Sequence, residues 1–281
     1  MVRSIRFAGT LALLLPWTAG AWAHADSDED LAKKTQNPVA ALISVPIQGN
    51  FDNRLGPGQT GTKIQVNVQP VVPFSLGPDW NLISRTIAPI ISQKNMLPDG
   101  NGLMDASGIG NIQESLFFSP KEPTARGWIW GAGPVFLLPK AAGNDYLGYD
   151  KAGLGPTFVV LKQAHGWTVG MLGQQLWSLG GDSASTDPAS QPYSSSYVQP
   201  FLNYTTHTYT TAGVNTESTY DWRSRRWVLV PVNLYASQLL RLGGQPLSIQ
   251  VGARRWAHTI TGAGPEGWGY RVAVTFLFPN K

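Results

Sequence analysis

The chain has 281 residues, 21 Lys and Arg against 17 Asp and Glu, a formal net charge of +4 and no cysteine. The missing cysteine excludes disulfide stapling, thiol catalysis and cysteine-ligated metal sites. Only 14% of the side chains are charged, well below the ~25% of ordinary soluble domains, while Trp, Tyr and Phe are plentiful, with eleven Trp.

At the N-terminus MVRSIR is basic, FAGTLALLLPWTAGA is apolar, and AWA or AHA supplies a small-x-small cleavage site, the layout of a secretory signal peptide. The apolar run falls short of the ~20 residues of a spanning helix, and no later run approaches that length, which excludes a helical membrane protein. Cleavage near Ala23 or Ala25 removes Arg3 and Arg6 and lowers the formal charge from +4 to +2. A nearly neutral mature chain has no basic patch for a nucleic-acid partner. Next, DSDEDLAKKTQNPVAA predicts a short helix ending before Pro38, with Asp28 or Asp30 as its cap. That segment lies at the mouth of whatever follows or enters its lumen. The expected organisation is a signal peptide over 1–25, an N-terminal periplasmic helical segment over 26–40, and one β domain over 41–281.

About twelve strands are predicted, near 41–52, 62–75, 79–91, 108–119, 127–138, 153–163, 166–178, 196–206, 209–220, 225–236, 246–258 and 268–278. Their length, around 10 to 14 residues, suits a tilted membrane strand. In TKIQVNVQPVV, Lys63, Gln65, Asn67 and Gln69 alternate with Ile64, Val66, Val68, Pro70 and Val72. QPLSIQVGAR repeats the pattern, with Arg254 on its polar face, and WGYRVAVTFLF sets Arg271 and Thr275 opposite a wholly apolar face. In SSYVQPFLNY, Tyr197, Gln199, Phe201 and Asn203 share a face that suits a weakly polar or aromatic solute. WNLISRTIAPII alternates poorly.

The connections at 53–61, 92–107, 139–152, 179–195, 221–224 and 259–267 are expected outside; those at 76–78, 120–126, 164–165, 207–208 and 237–245 are expected in the periplasm. Most of the first set are long and most of the second are tight, the asymmetry of an outer-membrane barrel. Only 221–224 and 237–245 break it. Trp80, Trp128, Trp130, Trp167, Trp177, Trp222, Trp227, Trp256 and Trp268 fall near strand ends, where an interfacial girdle would sit.

Pro70, Pro73, Pro89, Pro134, Pro156, Pro200 and Pro231 lie inside predicted strands, and each removes a ladder hydrogen bond. They predict bulges and kinks that shape the wall, with Gly133–Pro134 and Gly155–Pro156 as bends; a local gap for lateral exit is a second expectation. A lipid-facing charge at the midplane costs ~2–4 kcal/mol, so most of Lys63, Arg85, Glu114, Lys162, Glu217, Arg254, Arg255 and Arg271 are expected in the lumen, with Arg85 and Glu114 paired there. The solute-contact candidates are thus Lys63, Gln65, Asn67, Gln69, Arg85, Glu114, Tyr197, Gln199, Phe201, Asn203, Arg254 and Arg271. His24, His165, His207 and His258 show no metal-ligand spacing, and no nucleophile elbow is present. Neither a cofactor nor a metal is called for.

Several stretches carry a resemblance: LAKKTQNPVAALISVPIQGNF, DWNLISRTIAPII, GNIQESLFFSP, GAGPVFLLP, QPFLNY and the terminal VTFLFP. In order and spacing they cover most of the mature chain. They resemble a family of bacterial outer-membrane proteins grouped with a component of the phenol meta-degradation pathway, whose members are often labelled transporter or misnamed neuromedin U. The resemblance implies a transport role in the outer membrane and brings no ligand or catalytic residues.

The expected fold is all-β, an up-and-down transmembrane antiparallel β-barrel of about twelve strands. It is expected in the cell outer membrane of a Gram-negative cell, passing small apolar or aromatic solutes without catalysis. Its partners would be membrane lipid, the solute, and the barrel-assembly machinery through the C-terminal strand. Two alternatives stay open: a lipid-modifying outer-membrane enzyme with a Ser/His pair assembled across strands, and a soluble periplasmic β-barrel that binds a ligand.

Overall fold

A computed structural model describes residues 27–56, 58–98, 103–140, 145–185, 187 and 189–279; the expected signal peptide lies outside the described residues. The described residues form a helix, α1 (Asp28–Lys34), one 3-10 turn at Asp145–Leu147 and fifteen strand segments. In order these are β1 (Ile43–Leu55), β2 (Gly61–Val68), β3 (Val71–Ser75), β4 (Trp80–Pro98), β5 (Leu103–Ile109), β6 (Gln113–Pro120), β7 (Trp128–Leu137) and β8 (Gly153–Ala164). Then come β9 (Trp167–Ser178), β10 (Ser194–Thr205), β11 (Thr210–Asn215), β12 (Ser218–Asp221), β13 (Arg226–Leu242), β14 (Gln245–Thr259) and β15 (Trp268–Phe278).

β2 with β3 and β11 with β12 are interrupted single staves, because both members bond to the same two neighbours, and β5 with β6 is a third, because both bond to β4. The result is a closed ring of twelve antiparallel staves, with β9 bonded to β10 and β15 bonded to β1. All twelve predicted strands are present. The segment 237–245, expected as a long connection, is instead the end of β13 and a tight turn at Gly243 and Gly244, both at positive φ. No helix among the described residues is long and apolar enough to cross a membrane.

Six wall prolines meet an irregularity in a neighbouring stave, because the missing N–H leaves the partner carbonyl unpaired, while Pro73 pairs with β4 in unbroken register. Pro46 faces the break between β2 and β3, and its carbonyl accepts from Gln69 N–H at 2.8 Å. Pro89 faces the break between β5 and β6, accepting from Gly110 N–H at 3.0 Å, and Pro200 faces the break between β11 and β12, accepting from Thr216 N–H at 3.3 Å. Pro231 sits at a register shift against β14. Pro134 and Pro156 stand opposite each other in β7 and β8, and the ladders outside them skip there. The strands approach so closely at these points that a Cβ on Gly133 would lie 2.0 Å from the Leu116 carbonyl oxygen, and one on Gly155 1.7 Å from that of Gln175.

The outer face is apolar. On β15 it shows Trp268, Tyr270, Val272 and Phe278, and register sets Tyr270 opposite Phe51 and Phe278 opposite Ile43 of β1. Exposed Trp80, Trp128, Trp130 and Trp167 ring the end with the short turns, while Trp177, Trp222, Trp227 and Trp268 ring the end with the long connections. This is the two-belt pattern of a lipid-embedded barrel. Trp256 departs from the expectation: it turns inward, and its indole N–H donates to Asp52 at 3.0 Å.

Candidate functional site in the barrel lumen

Strand alternation sends every second side chain inward, and the N-terminal segment enters from the short-turn end to meet them. α1 is capped by Ser27, whose hydroxyl accepts from Asp30 N–H, rather than by Asp28 or Asp30. The same hydroxyl, donating to the Asp30 carboxylate, holds that group below the usual carboxylate range. Asp28 instead receives Arg241 of β13 at 2.5 Å, tying the helix to the wall. Leu31, Ala32, Ala40 and Leu42 pack against Leu239 and Leu277 of the wall. Val39 packs into a second lumen cluster with Ile83, Phe117, Val159, Leu161, Leu172 and Phe201. Asn203 donates to Gln36 at 2.9 Å, and Gln163 donates to the Lys33 carbonyl at 3.0 Å. The segment thus enters the lumen rather than lying outside the mouth.

A cavity of about 680 Å3 runs from Lys34–Pro38 of this segment to Ala263, Gly264 and Pro265 in the connection at the far end. Near that far end a charged cluster crosses the seam of the ring. Arg271 donates to both Glu217 carboxylate oxygens at 2.8 Å, and its Nε donates to Asn50 at 2.7 Å. Arg254 donates to Glu217 at 3.1 Å, to Asn50 at 3.2 Å, to Asp52 at 3.5 Å and to Asn233 at 2.8 Å. Its guanidinium also stacks 5.0 Å from the Trp256 ring. Asn233 in turn donates to Asn215 at 2.7 Å. Bidentate, charge-assisted bonds of this kind hold two arginines in fixed orientations.

The other lumen groups are less constrained. Arg85 donates once, to Gln69 at 3.1 Å, and Tyr197 donates to Gln199 at 3.1 Å. Gln65 donates to Asn67 at 2.8 Å. Tyr235 donates to the Asn203 side-chain oxygen at 2.5 Å. Lys63, Gln65, Asn67, Gln69, Arg85, Tyr197, Gln199, Phe201, Asn203, Arg254 and Arg271 therefore all line the one cavity that the sequence predicts for them.

Glu114 does not. Ser115 and Phe117 point inward from β6, which sends Glu114 to the outer face, where Ser84 and Thr86 donate to it at 2.6 and 2.5 Å. It therefore cannot pair with Arg85, which lies on the other face of β4 between those two residues. Two hydroxyls satisfy the carboxylate that the charge rule had placed in the lumen. Sequence reasoning also missed Asn50 and Asp52, and it counted Glu217 among the strand charges expected in the lumen without making it a solute-contact candidate. Asn50 and Asp52 share a face of β1 with Gln48, so alternation was the available signal. Glu217 sits in the break between β11 and β12, where alternation gives none.

Among the described residues no three His, Asp or Glu side chains converge to hold a metal. His258 hydrogen-bonds the Trp227 carbonyl at 3.0 Å on the outer face, and His165 and His207 lie in turns.

A closed twelve-stave barrel with an apolar belt and a polar lumen is the architecture of proteins that cross membranes by strands. Among solved structures the chain is similar to an outer-membrane channel from Pseudomonas putida F1, with TM-score 0.65 and 14% identity over 85% of this chain and 96% of that one. It is also similar to the NanC porin, with TM-score 0.50 and 10% identity over 83% of this chain and 98% of that one. At such identities the likeness is one of fold. No family model matches the chain, and no curated protein sequence matches it.

Proposed function

We propose that the chain is a channel of the bacterial outer membrane that passes small apolar or aromatic solutes without catalysis. The observation that carries this is the continuous lumen cavity, lined from the docked N-terminal segment to the opposite connection. A barrel built only as an anchor has no need of such a lining. The apolar cluster around Phe117 and Phe201 beside amide and guanidinium groups suits an aromatic or amphipathic solute. The short turns and the N-terminal segment face the periplasm, and the longer connections face outward. A leader over residues 1–25 exports the chain, and the C-terminal strand is read by the assembly machinery. The phenol-degradation family resemblance agrees with this substrate class.

Conductance of the purified full chain in a planar bilayer tests the proposal. Discrete channels are expected, and deleting residues 27–42 is expected to raise their conductance severalfold because it empties the short-turn half of the lumen. A silent preparation that hydrolyses phospholipid would replace the channel with a lipid enzyme. A chain that stays soluble without detergent would replace it with a periplasmic binding protein.

A further inference from the structure

Building on the channel reading, we infer that the lumen selects solutes with an apolar body and an anionic head, a carboxylate, and that Arg85 receives the head. Among the described residues, Lys34, Lys63, Arg85, Arg254 and Arg271 line the cavity, against the carboxylates of Asp52 and Glu217 alone. Both carboxylates are already committed. Glu217 accepts from Arg271 and Arg254, and Asp52 accepts from Arg254 and Trp256. Of the other three cations, Lys63 and Arg85 make no salt bridge among the described residues. Lys63 donates no hydrogen bond to the protein, and Arg85 donates only one, to the neutral amide of Gln69. No fully buried side-chain nitrogen or oxygen among the described residues lacks a partner, so the unused N–H groups of Arg85 and Lys63 open onto the cavity.

Arg85 has a second property that Lys63 lacks: it stands at the edge of the apolar cluster. It shares the inner face of β4 with Ile83, and its register partner is Val71. Ile83 belongs to the cluster of Phe117, Leu172 and Phe201, and Val71 and Tyr197 pack against it. A guanidinium fork with free donors, set at the rim of an apolar sleeve, complements a planar carboxylate carried on a hydrocarbon or aromatic body. Its one hydrogen-bond partner, Gln69, is neutral, which fits one negative charge better than two. Lys63, further along β2 toward the long connections, adds attraction on the route in.

The test is calorimetric titration of the folded full chain in detergent micelles with three probes of one size: benzoate, benzyl alcohol and benzylamine. Benzoate is expected to bind about tenfold or more tightly than benzyl alcohol, the scale of one charge-assisted hydrogen-bond pair, and benzylamine most weakly. Arg85→Gln should bring benzoate down to the benzyl alcohol level and leave benzyl alcohol unchanged. Lys63→Gln should keep most of the preference. Equal binding of the three probes, or a benzoate preference that survives Arg85→Gln, overturns the inference. Heat-modifiable gel migration shows that each variant is folded. A barrel that binds benzoate through Arg85 yet never conducts would leave this inference standing and remove the channel. Conduction with no charge preference would do the reverse.

Discussion

Glu217 is the hinge of the lumen's charge balance. One carboxylate accepts three hydrogen bonds from two arginines, whose side chains are almost wholly enclosed, while its own is 20% exposed to the cavity. Removing one partner of a dry buried pair costs about 3–5 kcal/mol; contact with the cavity lowers that here. Glu217→Gln keeps the shape and the accepting oxygen but removes one negative charge, leaving Arg271 without a carboxylate while Arg254 keeps Asp52. The expected outcome is a barrel that still migrates as folded and a channel shifted toward anions, read as a change in reversal potential across a KCl gradient. An unchanged potential would mean that current bypasses the cluster. Glu114 makes the complementary point on the outer wall, where hydroxyls from Ser84 and Thr86 rather than a cation satisfy a carboxylate.

At the scale of the strand, the Gly-Pro pairs decide where the wall bends. Gly155→Ala would drive a Cβ into the Gln175 carbonyl oxygen and Gly133→Ala one into that of Leu116, whereas a Cβ on Gly49 meets only the Val272 carbonyl oxygen at 3.7 Å. Both of the first two substitutions should sharply reduce the heat-modifiable folded fraction, and Gly49→Ala should leave it near wild type. Equal folding of all three would show that the wall yields easily at the prolines. These irregularities also explain which strands were legible in the sequence. β2 and β15 alternate cleanly because one face meets apolar surroundings and the other a polar lumen. β4 and the end of β13 alternate poorly because their inner faces meet the N-terminal segment instead. Ile83 shares a cluster with Val39, and Leu239 packs with Leu31, while Leu240 and Leu242 point outward. With apolar residues on both faces, the period-two signal disappears, and 237–242 reads as a loop. The inward polar sets of β2, β10 and β14 were legible for the same reason that their strands were. Asn50 and Asp52 were not singled out, and Glu217 was read as a lumen charge but not as a site residue, because their role depends on partners more than 30 residues distant in sequence.

For the whole molecule, closure rests on the first and last strands. Phe278 pairs with Ile43 at the short-turn end of the seam, and the register runs unbroken to Tyr270 opposite Phe51. Deleting Phe278 should block membrane assembly in cells far more than deleting Lys281, read as loss of the heat-modifiable form from the outer-membrane fraction. Equal assembly of the two deletions would separate the terminal aromatic from the assembly signal. The charged cluster has a bearing on timing as well. Asn50 belongs to the first strand and Arg271 to the last, 221 positions later in the chain, yet the two are hydrogen-bonded. During synthesis and insertion neither arginine of the last two strands reaches Asn50 or Asp52 of the first strand until the final stave docks. The lumen's polar half is therefore a product of completion: an unfinished sheet has a lipid-facing surface but no site. A ligand held by this half of the lumen would stabilise the finished ring alone, and its binding would count closed barrels directly.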